Sequence, residues 1–431
     1  MAMAMATAVI MTRKLRINNI MGEVSSEIVS GFVQTIRRIT IVLACATMGW
    51  FSFANAVVNI TSLGSPLTAL SLDPKNSDAL ANQLDSILSN AETASTKIID
   101  NAGLARESLK GNAVNPKALR QLAFVADAEG KTDRARTLML LSTRTSRRDF
   151  GAQLWWIEYW VSSGDAQLAL QHYDVALRAN SESEPILFPI LAKALDDKAI
   201  QDAFTPYVKS PTPWLQTFFG FSINSGTNPV ALSQIVMKAG GMPTPLGFKD
   251  FASLLFQQLL ATKKYNEARL YYSSLKDSDL GLATSTAFNR ASTDRQFEPM
   301  TWQVFDSAAI GATFEGGSDK PQLLRLFASS GQRGIALRKL LFLTAGNYSF
   351  RQNLEFVNFN NEADIRWQIK CARNDTDSVI WQSKYRQSGL SPTEEVFIPA
   401  DCPVQFLETL VAGGSDQNGA ELIVRFIELT I

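Results

Sequence analysis

The sequence predicts a multidomain protein, α first and β second: an N-terminal transmembrane helix, a right-handed α-solenoid of helical hairpins, and a C-terminal antiparallel β-sandwich of jelly-roll type. Three observations predict this. No charged residue occurs from Ile39 to Leu72, a pattern of small and aromatic residues returns after 34 positions, and beyond about Phe297 the apolar period changes from 3.6 to 2. The divisions are then 1–38 for a cytoplasmic N-terminal segment, 39–59 for the span, 60–284 for the helical array and 285–431 for the sandwich. A chain of 431 residues exceeds what one core organises, and 46% hydrophobic residues are enough to fill several.

Residue counts bound the chemistry. Lys plus Arg and Asp plus Glu are both 41, so the summed field is weak and a nucleic-acid backbone is not the expected partner. His172 is the only histidine, which disfavours zinc sites built on several imidazoles and any Ser-His-Asp relay away from that position. There is no GxGxxG after a strand, no Walker-type GxxxxGK[ST], no HExxH and no CxxC. The expectation is a non-enzymatic protein with no metal and no cofactor.

The first element is "ITIVLACATMGWFSFANAVV", about the 20 residues needed to cross a hydrocarbon core. Arg13, Lys14, Arg16, Arg37 and Arg38 precede it and the next basic residue is Lys75, an asymmetry that places the N-terminus in the cytoplasm. "FANA" also carries an A-x-A pattern at Ala54 and Ala56, so a cleaved signal sequence is the alternative. Both readings export the body of the chain. Cys45 lies in the span, whereas Cys371 and Cys402 lie in the β region; in an oxidising compartment they would form one disulfide, and otherwise two buried thiols.

The helical elements come in pairs. Gly130 and Gly164 coincide when the chain is slid by 34 residues, as do Ala135 with Ala169, Met139 with Tyr173, and Ser142 with Ala176. An apolar helix precedes each Gly, "PKALRQLAFVADAE" and "FGAQLWWIEYWVSS". "KYNEARLYYSSL" returns to the pattern with Ala268 and Tyr272, out of whole-repeat register, and "LTALSLDPKNSDAL" reads as the end of one unit and the start of the next. Pro and Gly between Pro185 and Pro245 predict shortened or irregular pairs. In this scheme Ala169, Tyr173 and Ala176 are packing residues, and His172 is an exposed or partly covered helix residue.

These residues resemble the tetratricopeptide repeat family, most closely over 116–183. The resemblance implies a concave groove lined by the first helix of each pair, with Lys117, Arg120, Gln121 and Phe124 in one unit and Leu154, Trp155, Glu158 and Val161 in the next. Family members that clamp a C-terminal carboxylate use Lys and Asn at such places, and Phe124 and Glu158 depart from that. Trp155 and Trp156 cannot point the same way on one helix, so Trp156 suits the core and Trp155 the groove.

The last third reads as strands. "RGIALRKLLFLTAGNYSFR" alternates through Ile335, Leu337, Leu341 and Leu343, and "DIRWQIKC" through Ile365, Trp367, Ile369 and Cys371. Polar turns such as "PADCP" and "GGSDQNG" separate the strands that follow. Trp302, Phe305, Tyr348, Trp381 and Tyr385 are candidates for stacking on sugars, or else core. Asp306, Glu315, Asp364 and Glu394 are the carboxylates a glycosidase would draw on, or else solvated. The leading expectation is a single-span scaffold of the bacterial inner membrane that binds proteins of an envelope assembly, by analogy one for exopolysaccharide synthesis or export. The alternative is a carbohydrate-binding module on a helical spacer, holding a nascent polysaccharide.

Overall fold

The computed structural model describes residues 2–88, 99–244, 246–276, 278–316, 322–358, 362–372, 378–415 and 417–431. Among them, fourteen α-helices precede eleven β-strands. The chain divides into two compact units, Met1–Trp156 and Ile157–Ile431, and the change from helix to strand falls inside the second.

The first unit begins with α1 (Ala2–Gly64), a helix of 63 residues whose segment Phe32–Gly64 contains an 18-residue stretch with a mean hydropathy of 1.8. Between Phe32 and Gly64 most apolar side chains find no cover: Val42, Met48, Trp50, Phe51 and Phe53 are all at least 60% exposed, whereas Val58 near the helix end packs with Ala69 and Ala79. A helix that is apolar all round and uncovered is out of place in water. After it come α2 (Pro66–Leu72), α3 (Ser77–Leu88), α4 (Ala102–Gly111), α5 (Pro116–Ala128) and α6 (Thr132–Thr145). Small residues let these helices approach closely, with Ala81, Leu84, Ala105 and Ala118 forming one cluster.

The 34-residue spacing has a physical counterpart at the helix ends. Asn115 caps α5, its side chain accepting from Lys117 N and Ala118 N, and Asp149 accepts from Ala152 N at the start of α7 (Phe150–Ser162). Gly130 closes the α5–α6 turn and Gly164 the turn after α7, at φ of 74° and 77°, where a Cβ would be strained. The small residue of each second helix lies fully inside the packing: Ser108 and Ser142 are buried and donate to Ser77 O and Pro116 O, each 2.8 Å away.

In the second unit, α8 (Ala166–Ala179) buries Ala169, Tyr173 and Ala176 as packing residues. The stretch rich in Pro and Gly forms α9 (Glu184–Ala194), α10 (Lys198–Lys209), α11 (Leu215–Asn224) and α12 (Pro229–Ala239), each shorter than the four helices directly before them, with Pro189 and Pro206 inside two. Phe188, Phe204, Trp214 and Phe218 meet there at centroid distances of 5.4–6.1 Å. α13 (Phe251–Ala261) and α14 (Tyr265–Ser273) then repeat the hairpin turn, with Lys263 at φ 57° where the earlier hairpins have Gly. Ala268 and Tyr272 are buried on α14.

Eleven strands follow: β1 (Gln303–Val304), β2 (Ile310–Glu315), β3 (Leu323–Ala328), β4 (Arg333–Leu341), β5 (Gly346–Asn358), β6 (Asp364–Cys371), β7 (Ser378–Gln382), β8 (Gly389–Leu390), β9 (Glu394–Ile398), β10 (Gln405–Ala412) and β11 (Ala420–Thr430). They make two antiparallel sheets, ordered β1-β4-β10-β6-β7 and β2-β3-β11-β5-β8, with β9 beside β5. Leu337, Trp367, Ile369 and Leu407 of the first sheet share one apolar core with Leu326, Phe350, Leu354 and Val424 of the second. Cys371 ends β6 and is disulfide-bonded to Cys402, Cα to Cα 5.5 Å, which joins that strand to the turn before β10.

Candidate functional site

The groove positions of the first unit are largely occupied from within. Arg120 is 9% exposed and held between Asp85 (2.9 Å) and Asp149 (2.8 Å); burial works against its charge, and the two carboxylates more than offset it, so its pKa lies above the ordinary arginine value. Gln121 is fully buried and donates to Ala81 O and Asp85 Oδ1. Trp155, expected in the groove, is 7% exposed and its indole N–H donates to Asp127 Oδ2 at 3.0 Å. These three are interhelix ties, because the neighbouring helix supplies acceptors where an open groove was expected. Lys117 reaches Asn82, Phe124 lies under the Arg120 guanidinium, and Leu154 is half-buried; Glu158 and Val161 are exposed. His172 is half-buried, and burial pushes its imidazole down to about 4, leaving it neutral near pH 7.

Three of the five sugar-stacking candidates belong to the core instead. Trp302 is 1% exposed and in contact with Trp367, and Tyr348 is 7% exposed with its hydroxyl donating to Thr344 O. Trp381 packs on the shared core against Phe350 at 4.7 Å. All three are on the inner side, where an indole or phenol fills volume between the sheets. Tyr385 is half-buried in the loop after β7, and Phe305 is half-buried beside β4. Of the carboxylates, Glu315 pairs with Arg325, Asp364 with Arg366 and Arg386, and Glu394 accepts from Lys384 N and Tyr385 N.

A hollow of about 560 Å³ in the second unit is lined by Met242, Tyr272, Asp279, Asp294 and Thr301, among others. Its polar groups are used in turns: Asp279 accepts from Gly281 N, Asp294 from Gln296 N, and Tyr272 Oη from Asp279 N.

The outer face of the five-stranded sheet is different. Its strands turn Ile365, Trp367 and Ile369 of β6 and Leu407 and Val411 of β10 to the core, so Asp364, Arg366, Gln368 and Lys370 and Phe406, Glu408 and Leu410 face outward. Register then aligns Gln303, Arg338, Glu408, Gln368 and Gln382 as one rung across all five strands. Arg338 donates to Glu408 Oε1 (2.7 Å), Gln368 donates to Glu408 Oε2 (2.7 Å), and Gln382 donates to Gln368 Oε1 (3.2 Å). The Arg338 guanidinium lies between the rings of Phe305 and Phe406, 5.3 and 4.9 Å from their centroids. Tyr265 of α14 meets Phe406 edge-on at 6.0 Å and closes one end of the face.

The sequence carries a signal for this rung in a charged or amide side chain at each outward position of β6, in "DIRWQIKC", and in Glu408 as the one charged residue of β10. No protein-family model matches the chain, and no curated protein matches its sequence. A solved structure described as "CBM4 structure and function" is similar over 32% of this chain and 90% of its own length, at 10% identity and a TM-score of 0.24.

Proposed function

We propose that this chain is a membrane-tethered, non-enzymatic glycan-binding protein of the bacterial envelope. The two sheets act as a jelly-roll-like β-sandwich carrying the ligand, and the helical hairpins, read as a degenerate tetratricopeptide-type solenoid, act as a spacer. The rung from Gln303 to Gln382 carries this reading. Neighbouring strands are about 4.8 Å apart, so side chains of the rung follow at close to the length of one sugar ring. Gln382 is exposed and Gln303 and Arg338 are half-buried, while the buried Glu408 and Gln368 fix Arg338 and Gln382 in place. That suits an extended polyhydroxylated chain better than an enclosed small molecule. The half-buried Phe305 adds apolar surface beside the hydrogen-bonding groups, and the buried Phe406 supports the Arg338 guanidinium from the other side.

The uncovered α1 supplies the tether, with the N-terminus cytoplasmic and the bulk of the chain periplasmic at the inner membrane. A nascent exopolysaccharide held near its export machinery is the setting this arrangement fits. The test is affinity electrophoresis of the full chain in detergent through gels containing soluble polysaccharides. Retardation by at least one polysaccharide, lost in Gln303→Ala/Gln382→Ala, is the expected result. Unretarded migration in every gel overturns the reading.

A protein-scaffold role is favoured by one observation: Ile186 and Ile190, one turn apart on α9, are 52% and 53% exposed, and Val161 is 56% exposed. Photocrosslinking from position 190 in cells reports on it, and specific capture of one envelope protein is the outcome that role requires.

A further inference from the structure

We infer that the outer face of the five-stranded sheet selects acidic polysaccharides, chains bearing carboxylates of the uronic-acid type. The inference rests on the glycan-binding reading above and adds the charge class of the ligand. Two carboxylates on this face are each shared by two cations. Glu408 holds Arg338 (2.5 Å) and Lys370 (3.1 Å), while Asp364 holds Arg366 (2.7 Å) and Arg386 (3.0 Å). Among the described residues, each cluster therefore keeps one positive charge in excess.

The two signs are also layered by depth. The Glu408 side chain is 0% exposed and that of Asp364 12%, whereas Arg338, Lys370, Arg366 and Arg386 are 27%, 22%, 33% and 41% exposed. The carboxylates form the floor and the cations the surface that a ligand meets. Arg333 is also exposed and pairs in register with Ala412, on the same outward face. The buried anions hold the guanidinium groups in place before binding, which lowers the side-chain entropy lost when they engage a ligand. A neutral glycan would leave the excess charge unused; a carboxylated one supplies acceptors matched to the guanidinium fork. The summed charge of the whole chain is zero, so this field is a local feature of one sheet face.

The experiment compares polygalacturonate with the same polymer fully methyl-esterified, which keeps the backbone and removes the charge. The full chain in neutral detergent is titrated by calorimetry at about 50 mM and about 500 mM salt. Expected are binding about tenfold or more tighter to the acidic form, a steep loss of that preference at the higher salt, and a comparable loss in Arg366→Gln/Arg386→Gln. Arg386→Glu alone, at an exposed loop position, gives the same direction with less risk to folding, and thermal melting confirms that each variant is folded. Equal binding to both polymers overturns the charge selectivity and leaves the glycan-binding reading standing. Binding to neither polymer, in a protein also unretarded by any polysaccharide, removes both. Equal binding to duplex DNA overturns the inference by reducing the face to a general polyanion patch.

Discussion

At the scale of single residues, burial decides what each polar group does. Lys339 is fully buried in β4, donates to Met300 O and lies 5.7 Å from the Trp302 ring. Burial pushes its ammonium down to about 7, with Asp279 a weaker opposing influence. An unfolded chain would keep the proton up to about 10.5, so between these values the unfolded state binds more protons and stability rises with pH. Below pH 7 both states are charged and the full penalty applies. Lys339→Met removes the titration, so its stability gain over the parent is expected to be largest near pH 6.5 and to shrink by a few kcal/mol toward pH 10. Urea unfolding of both proteins across this range checks it, and a constant difference contradicts the assignment. The same reasoning explains which predicted residues were misplaced. The identities of Trp302, Trp155 and Gln121 are equally compatible with a surface and a core, and only the partners brought by distant elements, Trp367, Asp127 and Ala81, decide between them.

At the scale of elements, the hairpins and the strands were legible because they rest on local periodicity and turn chemistry. Gly130 and Gly164 mark their turns by a backbone conformation that other residues strain to adopt. The α13–α14 turn carries no Gly signal, because Lys263 takes that conformation in its place. Gly151, near the start of α7, shows a different constraint. Gly→Ala within a helix normally stabilises by about 1 kcal/mol. Here a Cβ would lie 2.9 Å from Arg120 Nη1 and 3.0 Å from Arg120 Cδ, and Asp85 and Asp149 hold that side chain in place. Gly151→Ala is therefore expected to lower stability, by about 1–2 kcal/mol, and Gly151→Ala/Arg120→Met to recover part of the loss relative to Arg120→Met alone. Thermal or urea melts of the set supply the cycle. The bond between Cys371 and Cys402 closes a loop spanning 31 positions, which a chain-entropy argument values at about 3–4 kcal/mol. Cys371→Ala/Cys402→Ala should lose that much, and reductant should lower the parent's unfolding midpoint while leaving the variant's unchanged.

At the scale of the whole molecule, the order of a long apolar helix, helical hairpins and two antiparallel sheets was legible, and the candidate binding face was not. Sheet order places β10 between β4 and β6, though β10 follows both by many residues. The rung of Arg338, Glu408 and Gln368 exists only once those strands pair, which no local pattern reports. The place of α1 is likewise a property of the whole chain. From Phe32 to Gly64 it is apolar and almost wholly uncovered, longer than a hydrocarbon core requires. Burial of such a surface in lipid is favourable by far more than thermal energy, whereas in water it would drive association. If α1 is a retained span, protein tagged at the N-terminus and expressed in bacteria stays in the membrane pellet after alkaline carbonate extraction. Protease added to spheroplasts then degrades everything beyond residue 64 and spares the tag. A soluble periplasmic product that begins after Ala56, with the tag lost, would instead show that the helix is a cleaved signal. The glycan face would then work untethered, and the hairpins would no longer be a spacer from the membrane.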